Sequence, residues 1–315
     1  MLNEDTIQEF LDYELEEIVH PILYTFFTRD EIRQNLRAEV LNDIEQGSSN
    51  VIAQKFQKQC FVENTDSDNY KIQCLEPEPR LKILAGIRFR GLDMARPYVV
   101  ILHRNFPIQD NEYLKNIIEL LKEEFKIFKP KAILFHQSSH IVGADINEEY
   151  RDKQILFGGI NDIANRNLKD PIVIELAQDS NFYGQYSAEY DQFHTQYPDR
   201  ADFARAESKD HIESYVKNDL VYLIKIHKEF GGVFIVTKSS VLGAEGYYVI
   251  ENFLFKGFRG KGFAPQVQTL IAKELVKRDG KVLFGSIYPN NFASYNAAKR
   301  SGRVDIGGSL MIPII

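Results

Sequence analysis

Residues 248–264 read YVIENFLFKGFRGKGFA, an apolar run that passes into a glycine-rich turn. The apolar part is typical of a buried strand. After the turn, apolar residues recur at helical spacing as far as Arg278, and Pro265 falls in the first turn, where its missing N–H has no cost. The pattern therefore predicts a strand, a turn and a helix in direct succession.

This turn has the properties of an anion-binding site. The first N–H groups of a helix have no partners within it, and the helix dipole places partial positive charge at the same end. Gly260 and Gly262 carry no side chain that would keep a phosphate from these N–H groups, while Arg259 and Lys261 add positive charge. We expect a site for an anion of the size of a diphosphate. The alternative is a glycine-rich turn without a ligand.

Two other phosphate-binding motifs are excluded by single residues. A dinucleotide-binding motif that began at Gly260 would need its third glycine at position 265, which is Pro265. A P-loop would need Ser or Thr after Gly260 and Lys261, and Gly262 stands there. The turn therefore belongs to neither class.

The surrounding sequence predicts a sheet with flanking helices. A helix is expected from Phe263 to Arg278, and a short one from Asn291 to Arg300. Strands are expected over residues 172–176, 246–255 and 281–287, with a hairpin whose strands, 220–230 and 232–238, turn at Gly231-Gly232, and a final pair of strands within 304–315.

From Pro171 to Ile315 the sequence resembles the GNAT superfamily of acyl-CoA N-acyltransferases. The residues that carry the resemblance match two motifs of that family, Arg/Gln-x-x-Gly-x-Gly/Ala and a later Asn with a Ser three residues on and a Gly near the helix end; they are Arg259, Gly262, Ala264, Asn291, Ser294 and Gly302. The resemblance implies an α/β (α+β) fold with a mixed, mostly antiparallel sheet. It also implies acetyl-CoA as co-substrate.

The resemblance further implies where acetyl-CoA binds. Its diphosphate would lie on the main-chain N–H groups of Arg259, Gly260, Lys261, Gly262, Phe263 and Ala264. The strands around Leu254 and Ile287 would separate and leave a slot for the acyl arm, with an N–H at Leu254 or Phe255 facing the thioester oxygen. Asn291 would contact the pantetheine or orient the fork between the two strands, and Ser294 would belong to the cofactor-binding residues.

A base must take a proton from the attacking amine, because an ammonium group has no lone pair. Glu251 is the candidate, since this segment resembles spermidine/spermine-type members that place a strand glutamate near the amine. The alternative is a strand carboxylate that faces solvent. Many members carry a Tyr as general acid where this chain has Ala298. Tyr288 or Tyr295 is expected to replace it, unless the thiolate leaves without help.

Residues 1–168 are predicted to form a separate α/β domain and residues 169–315 the acetyltransferase domain. The order of elements in the first part, helices followed by strand, helix and strand, is similar to that of the second. Its equivalent turn, residues 103–110, has no glycine and contains Pro107. The first part is therefore a GNAT-like copy that has lost its cofactor, or an unrelated α/β domain. His103 and Arg104 are expected at the surface.

Composition limits the other possibilities. The net charge of −7 gives no basic footprint for nucleic acid, and no apolar run is long enough to span a membrane. Two cysteines and a basic-poor N-terminus favour a cytoplasmic protein. No metal site is expected, because His136 and His140 lie near a strand rather than on one helix face. The predicted partner is an amine of a small molecule or protein, and the alternative function is a non-catalytic CoA-binding or interaction module.

Overall fold

The computed structural model describes residues 2–108, 111–140, 148–169, 171–201 and 204–314. Its helices are α1 (Glu4–Tyr13), α2 (Arg29–Ser48), α3 (Asn50–Gln59), α4 (Asn111–Glu124), α5 (Ile160–Ala164), α6 (Tyr183–Gln196), α7 (Lys209–Lys217), α8 (Phe263–Val276) and α9 (Phe292–Arg300). Its strands are β1 (Gln73–Glu78), β2 (Leu81–Phe89), β3 (Pro97–Arg104), β4 (Ala132–Ser138), β5 (Arg151–Gly159), β6 (Ile172–Leu176), β7 (Val221–Ile226), β8 (Glu229–Val241), β9 (Ala244–Leu254), β10 (Val282–Ile287) and β11 (Val304–Pro313).

The chain divides into two compact units. Unit 1 comprises Met1–Gln154, Leu242–Ala244 and Ile306–Ile315, and unit 2 comprises Ile155–Val241 and Glu245–Asp305. The predicted boundary at residues 168/169 therefore moves to 154/155. The end of the chain falls in unit 1 because β11 pairs with β4 over seven residues, from Gly307↔Ser138 to Pro313↔Ala132.

Unit 1 contains a sheet with the strand order β1-β2-β3-β4-β11. All described pairs are antiparallel except β3 with β4, which is parallel. The amphipathic α4 packs one face on the sheet, where Leu114, Ile117 and Leu121 join the core. Burial of this stripe is the main reason that α4 forms, as its 3.6-residue period predicts. Gln109 and Asp110 of the compared turn lie outside the described residues.

Unit 2 contains a sheet with the strand order β5-β10-β9-β8-β7-β6. Strands β9 and β10 are parallel, and β6, β7 and β8 form an antiparallel series. One face packs on α5 and α8, with Val267, Ile271 and Leu275 of α8 fully buried. The other face packs on α6 and α7, with Tyr186 and Ile212 fully buried. The predicted mixed, mostly antiparallel sheet with flanking helices is confirmed.

The predicted hairpin turn at Gly231-Gly232 is wrong. Strands β7 and β8 turn at His227 and Lys228, which have φ of 52° and 72°. The pairing shifts by one residue between Ile224↔Gly232 and Lys225↔Phe230, so Gly231 is the extra residue of a β-bulge. Two adjacent glycines therefore mark an irregularity within β8, since glycine serves a bulge as well as a turn.

Two strands were not predicted, and one prediction gave a strand too many. The polar Gln73–Glu78 forms β1 at the edge of its sheet, where alternate residues are exposed. Strand β5 surrounds the apolar residues 155–157, whose polar flanks concealed its length. The expected pair of strands after Val304 is the single strand β11. Among the described residues, no helix has the length and apolar character needed to cross a membrane.

Candidate active site

The glycine-rich turn connects β9 to α8 as predicted. Gly260 and Gly262 have φ of 74° and 81°, in the left-handed region that favours glycine, and Gly262 is the N-cap of α8. Both residues are exposed. A Cβ atom added at either position would meet no atom within 4 Å, so the space over the turn is open.

The main-chain N–H groups of the turn have no partners among the residues that the structure describes. Within the described part of the chain, no hydrogen bond is made by the N–H groups of residues 259–264, whereas the preceding Phe258 N–H donates to Phe255 O at 2.9 Å. These free N–H groups lie at the positive end of the α8 dipole. The turn can therefore accept an anion without breaking any internal hydrogen bond.

The guanidinium group of Arg259 does not face the proposed anion site, although its charge was expected to contribute there. Its Nε donates to Leu254 O at 2.5 Å, and its guanidinium carbon lies 4.5 Å from the Phe253 ring centroid and 4.8 Å from that of Phe193. Its Nη2 lies 3.9 Å from Glu189 Oε2. Protein groups thus hold the guanidinium, and the exposed full charge at the turn comes from Lys261.

Strands β9 and β10 lie side by side for only a short distance. Among the described residues, the pairing consists of Leu283↔Tyr247 and Phe284↔Tyr248, although β9 continues to Leu254 and β10 to Ile287. The slot predicted for an acyl arm would lie between the unpaired ends of the two strands. We call it the β9–β10 slot, and Tyr248 and Phe284 mark its closed end.

Of the two candidate oxyanion donors, one is already used. The Phe255 N–H donates to Gly231 O at 2.8 Å, because the β8 bulge directs that carbonyl towards it. Main-chain groups of successive strand residues point to opposite sides. The Leu254 N–H therefore points to the β10 side, where pairing has ended, and it remains the candidate donor.

Glu251 lies in β9 and is buried, with 8% of its surface exposed, so the alternative of a solvent-facing carboxylate is wrong. The phenol groups of Tyr186 and Tyr190 both donate to Glu251 Oε2, at 2.9 and 2.6 Å, and the Asn252 N–H donates to Oε1 at 2.9 Å. The Tyr186 Oη also accepts the Glu207 N–H at 3.0 Å. Glu251 is thus the centre of a hydrogen-bonded cluster between β9 and α6.

Burial raises the pKa of Glu251 to about 7, although the hydrogen bonds from Tyr190 and Tyr186 oppose the rise. Burial also raises the pKa of both phenols, so they stay neutral donors. A carboxyl group with such a pKa changes its charge near neutral pH, as a general base or acid requires.

Phe253 connects Glu251 to the turn. Its ring stacks on Tyr190, with centroids 3.9 Å apart and planes 9° apart, and it also contacts the Arg259 guanidinium. Tyr186 and Tyr190 stand four residues apart on one helix face, which was the available signal, but nothing in the sequence placed Glu251 opposite them.

The second motif lies in and before α9. The Asn291 Oδ1 accepts the Ser294 N–H at 3.2 Å, so Asn291 caps α9. This local role accounts for the asparagine without a cofactor. Ala298 is fully buried, and it packs with Leu156, Ile287 and the partly buried Tyr295. Tyr288 follows β10 directly and is partly buried, so neither tyrosine is singled out as the acid.

In unit 1, the corresponding strands β3 and β4 pair in parallel from Tyr98↔Ala132 to Ile101↔Phe135 and then stop. Here the side chain of Arg104 fills the gap, since its Nη1 donates to His136 O at 3.2 Å and its Nε to Phe106 O at 3.2 Å. The predicted surface position of Arg104 is wrong, since it is 6% exposed.

His103 is likewise buried rather than at the surface, with 7% exposed. Its Nδ1 lies 2.5 Å from Glu14 Oε1, and its Nε2 lies 3.3 Å from Asp43 Oδ2. Burial lowers the pKa of His103, but the two carboxylates outweigh this and raise it to about 10. The ring therefore stays charged between two acids, and this ion-pair network accounts for its burial.

No protein-family model and no curated protein sequence matches the chain. Solved structures do. A GNAT-family acetyltransferase from Colwellia psychrerythraea is 12% identical, with a TM-score of 0.47 over 74% of this chain and 81% of that one. A GCN5-related N-acetyltransferase from Sphaerobacter thermophilus is 11% identical, with a TM-score of 0.48 over 74% and 76%. A tandem GNAT protein from the clavulanic acid biosynthesis pathway is 9% identical, with a TM-score of 0.41 over 75% and 84%. The chain is similar to these GNAT proteins in fold alone.

Proposed function

We propose that unit 2 is an acyltransferase that moves an acyl group, acetyl in the simplest case, from acyl-CoA to a primary amine of a small molecule or protein. The observation that carries this proposal is the set of main-chain N–H groups at residues 259–264, which have no partner in the described parts of the chain and lie under open space beside Lys261. Such a set suits a diphosphate. The β9–β10 slot, which begins beside the turn, suits the pantetheine arm.

The reaction needs no covalent enzyme intermediate. The amine nitrogen attacks the thioester carbonyl carbon, and the carbonyl oxygen becomes an oxyanion that the Leu254 N–H would stabilise. The C–S bond then breaks, the amide forms, and the electron pair of that bond leaves with the CoA sulfur as a thiolate. One proton of the ammonium form must be removed before attack and a second when the amide forms, and one of these protons can neutralise the thiolate.

Glu251 is our candidate for the first proton transfer. Its Oε1 accepts one N–H and its Oε2 accepts two phenols. Each carboxylate oxygen has two lone pairs, so Oε1 keeps one for a proton. Because Glu251 is buried, we expect the proton to arrive through a water molecule rather than directly from the amine.

Two measurements separate an enzyme from a binding module. Thermal unfolding with CoA alone tests the turn, since a ligand at 100 times its Kd stabilises by about 2.7 kcal/mol. Release of free thiol from acetyl-CoA with pooled primary amines tests transfer. Stabilisation together with amine-dependent thiol release supports the proposal. Stabilisation without release would favour a non-catalytic CoA-binding module, and the absence of both would contradict the proposal.

A further inference from the structure

Contacts with β8 fix the direction of both main-chain polar groups of Leu254. A Cβ atom added at Gly232 would clash with Phe253 O, so this carbonyl points towards β8. The N–H of a trans peptide lies opposite its carbonyl, and the Leu254 N–H therefore points away from β8. The Phe255 N–H donates to Gly231 O in β8, so Leu254 O, at the other end of that peptide, also points away from β8.

Leu254 thus presents a donor and an acceptor to the same side of β9. A thioester oxygen that accepts from the Leu254 N–H lies close to the Leu254 carbonyl oxygen, and both oxygens carry negative charge. Their repulsion increases when the thioester oxygen becomes an oxyanion, because a full charge replaces a partial one. The carbonyl therefore opposes the stabilisation that the N–H provides, unless a positive group neutralises it.

The side chain of Arg259 supplies that positive group. Its Nε donates to Leu254 O at 2.5 Å, a charge-assisted hydrogen bond. Its guanidinium lies against the rings of Phe253 and Phe193 and leaves 24% of the side chain exposed. Its Nη2 is buried and has no hydrogen-bond partner among the described residues, since Glu189 Oε2 is 3.9 Å away. The charge at the Leu254 carbonyl is thus partly removed from water, where its field is stronger.

Helix α6 holds this arrangement in place. Glu189 of α6 accepts the Lys256 N–H with its Oε2 at 3.0 Å, so the chain between β9 and the turn is tied to the helix. Phe193 of the same helix covers the guanidinium of Arg259. A diphosphate on the N–H groups of residues 259–264 leaves these contacts intact. The side chain of Arg259 therefore acts on β9, while its main chain belongs to the turn.

We infer that Arg259 is a positioning residue of the acyl transfer: it holds and neutralises the Leu254 carbonyl, so that the Leu254 N–H can stabilise the oxyanion. The inference rests on the proposed function. The effect is largest in the transition state, because the thioester oxygen carries its full negative charge only there. Loss of the arginine should therefore lower kcat and leave the affinity for CoA, which depends on the turn, nearly unchanged.

The test measures kcat and cofactor affinity separately in two variants. R259Q keeps an N–H donor for Leu254 O without the charge, and R259M removes both while its thioether still packs on the two aromatic rings. With saturating acetyl-CoA and one primary amine, we expect kcat to fall by about tenfold or more in R259M and by less in R259Q. The Kd for CoA, from isothermal titration, should stay within about twofold in both. R259Q answers the question if R259M does not fold.

R278Q is the matched control. Arg278 also donates to a main-chain carbonyl, Asp219 O at 2.7 Å, and its guanidinium carbon lies 5.8 Å from the Tyr222 ring centroid. It follows the C-terminal end of α8, whose 14 residues span about 20 Å from the turn. R278Q should therefore keep the native kcat and the native Kd for CoA.

The possible results separate this inference from the proposed function. An unchanged kcat in R259M and R259Q, with an active native protein, would overturn the inference alone. A Kd for CoA raised tenfold or more would also overturn it, since Arg259 would then bind the diphosphate. So would a shifted pH profile of kcat/KM in R259Q, because the arginine would then act through Glu251. A native protein that binds no CoA, or binds it without amine-dependent thiol release, would overturn the proposed function and the inference with it.

Discussion

The phenol of Tyr190 donates to the carboxylate of Glu251 over 2.6 Å, although the two residues are 61 positions apart in the sequence. Together with the hydrogen bond from the Tyr186 phenol, this contact connects β9 to α6 next to the β9–β10 slot. It keeps a buried carboxyl group in one orientation. The same contact lowers the pKa of that group, against the larger rise that burial causes, so it affects both the packing and the titration of Glu251.

Replacing Glu251 by glutamine should lower kcat/KM for the amine by about 10²- to 10⁴-fold, the usual contribution of a general base. Affinity for acetyl-CoA should stay within about twofold, because the turn is unchanged. Steady-state kinetics and isothermal titration measure the two effects. E245Q, at an exposed position of the same strand, is the matched control. A fully active E251Q would leave Glu251 with only a structural role.

The rate of the native protein should depend on pH through Glu251. The base acts when it is deprotonated, so kcat/KM should rise through a pH of about 7. Y190F removes a hydrogen bond that lowers the pKa of Glu251, and the rise should then move to higher pH by about one unit. The pH profile with an acceptor of fixed pKa measures this. Y183F, about two turns from Tyr190 on the same helix, should leave the profile in place. An unmoved profile in Y190F would mean that Glu251 is not the base.

The free energy of unfolding should also depend on pH through the raised pKa of Glu251. Its folded-state value of about 7 lies above its ordinary value of 4.5, so the folded protein binds the extra proton between these limits. The resulting stabilisation is complete below pH 4.5 and is lost as the pH rises to about 7, by about 3 kcal/mol at most. Urea unfolding of the native protein and of E251Q across this range measures the difference. If E251Q shows the same slope, another group causes it.

The sequence predicted correctly those elements whose conformation depends on neighbouring residues alone. The turn at Gly260 and Gly262 was predictable because few residues other than glycine adopt a left-handed backbone before a helix, and α8 was predictable from its buried stripe. The partners of Glu251 were not predictable, because α6 meets β9 only in the tertiary fold. Gly231 was misinterpreted because a bulge and a turn both favour glycine.

The positive charge of Lys261 should contribute to CoA affinity. K261E reverses the exposed charge at the turn and should raise the KM for acetyl-CoA by about tenfold or more, with a smaller effect on kcat. K238E changes an exposed lysine of β8 and serves as the control. The loss in K261E should shrink in high salt, since it is electrostatic. Equal KM values for acetyl-CoA in the two variants would contradict the binding of the diphosphate at this turn.

Each chain should bind one molecule of CoA. In unit 1 the gap between β3 and β4 is filled by Arg104, and the equivalent turn has no glycine to open its N–H groups to a phosphate. Isothermal titration of CoA should therefore give a stoichiometry close to one. A second CoA site of similar affinity would mean that the Arg104 side chain moves and that CoA binds between β3 and β4 of unit 1.

The most direct measurement is the response of individual main-chain amides to CoA in a ¹H–¹⁵N NMR titration. The resonances of Gly260, Lys261 and Gly262 should shift most and saturate together, because their N–H groups gain hydrogen bonds to the diphosphate. Resonances of these three residues that stay in place while CoA binds, with the large shifts elsewhere, would contradict the central claim.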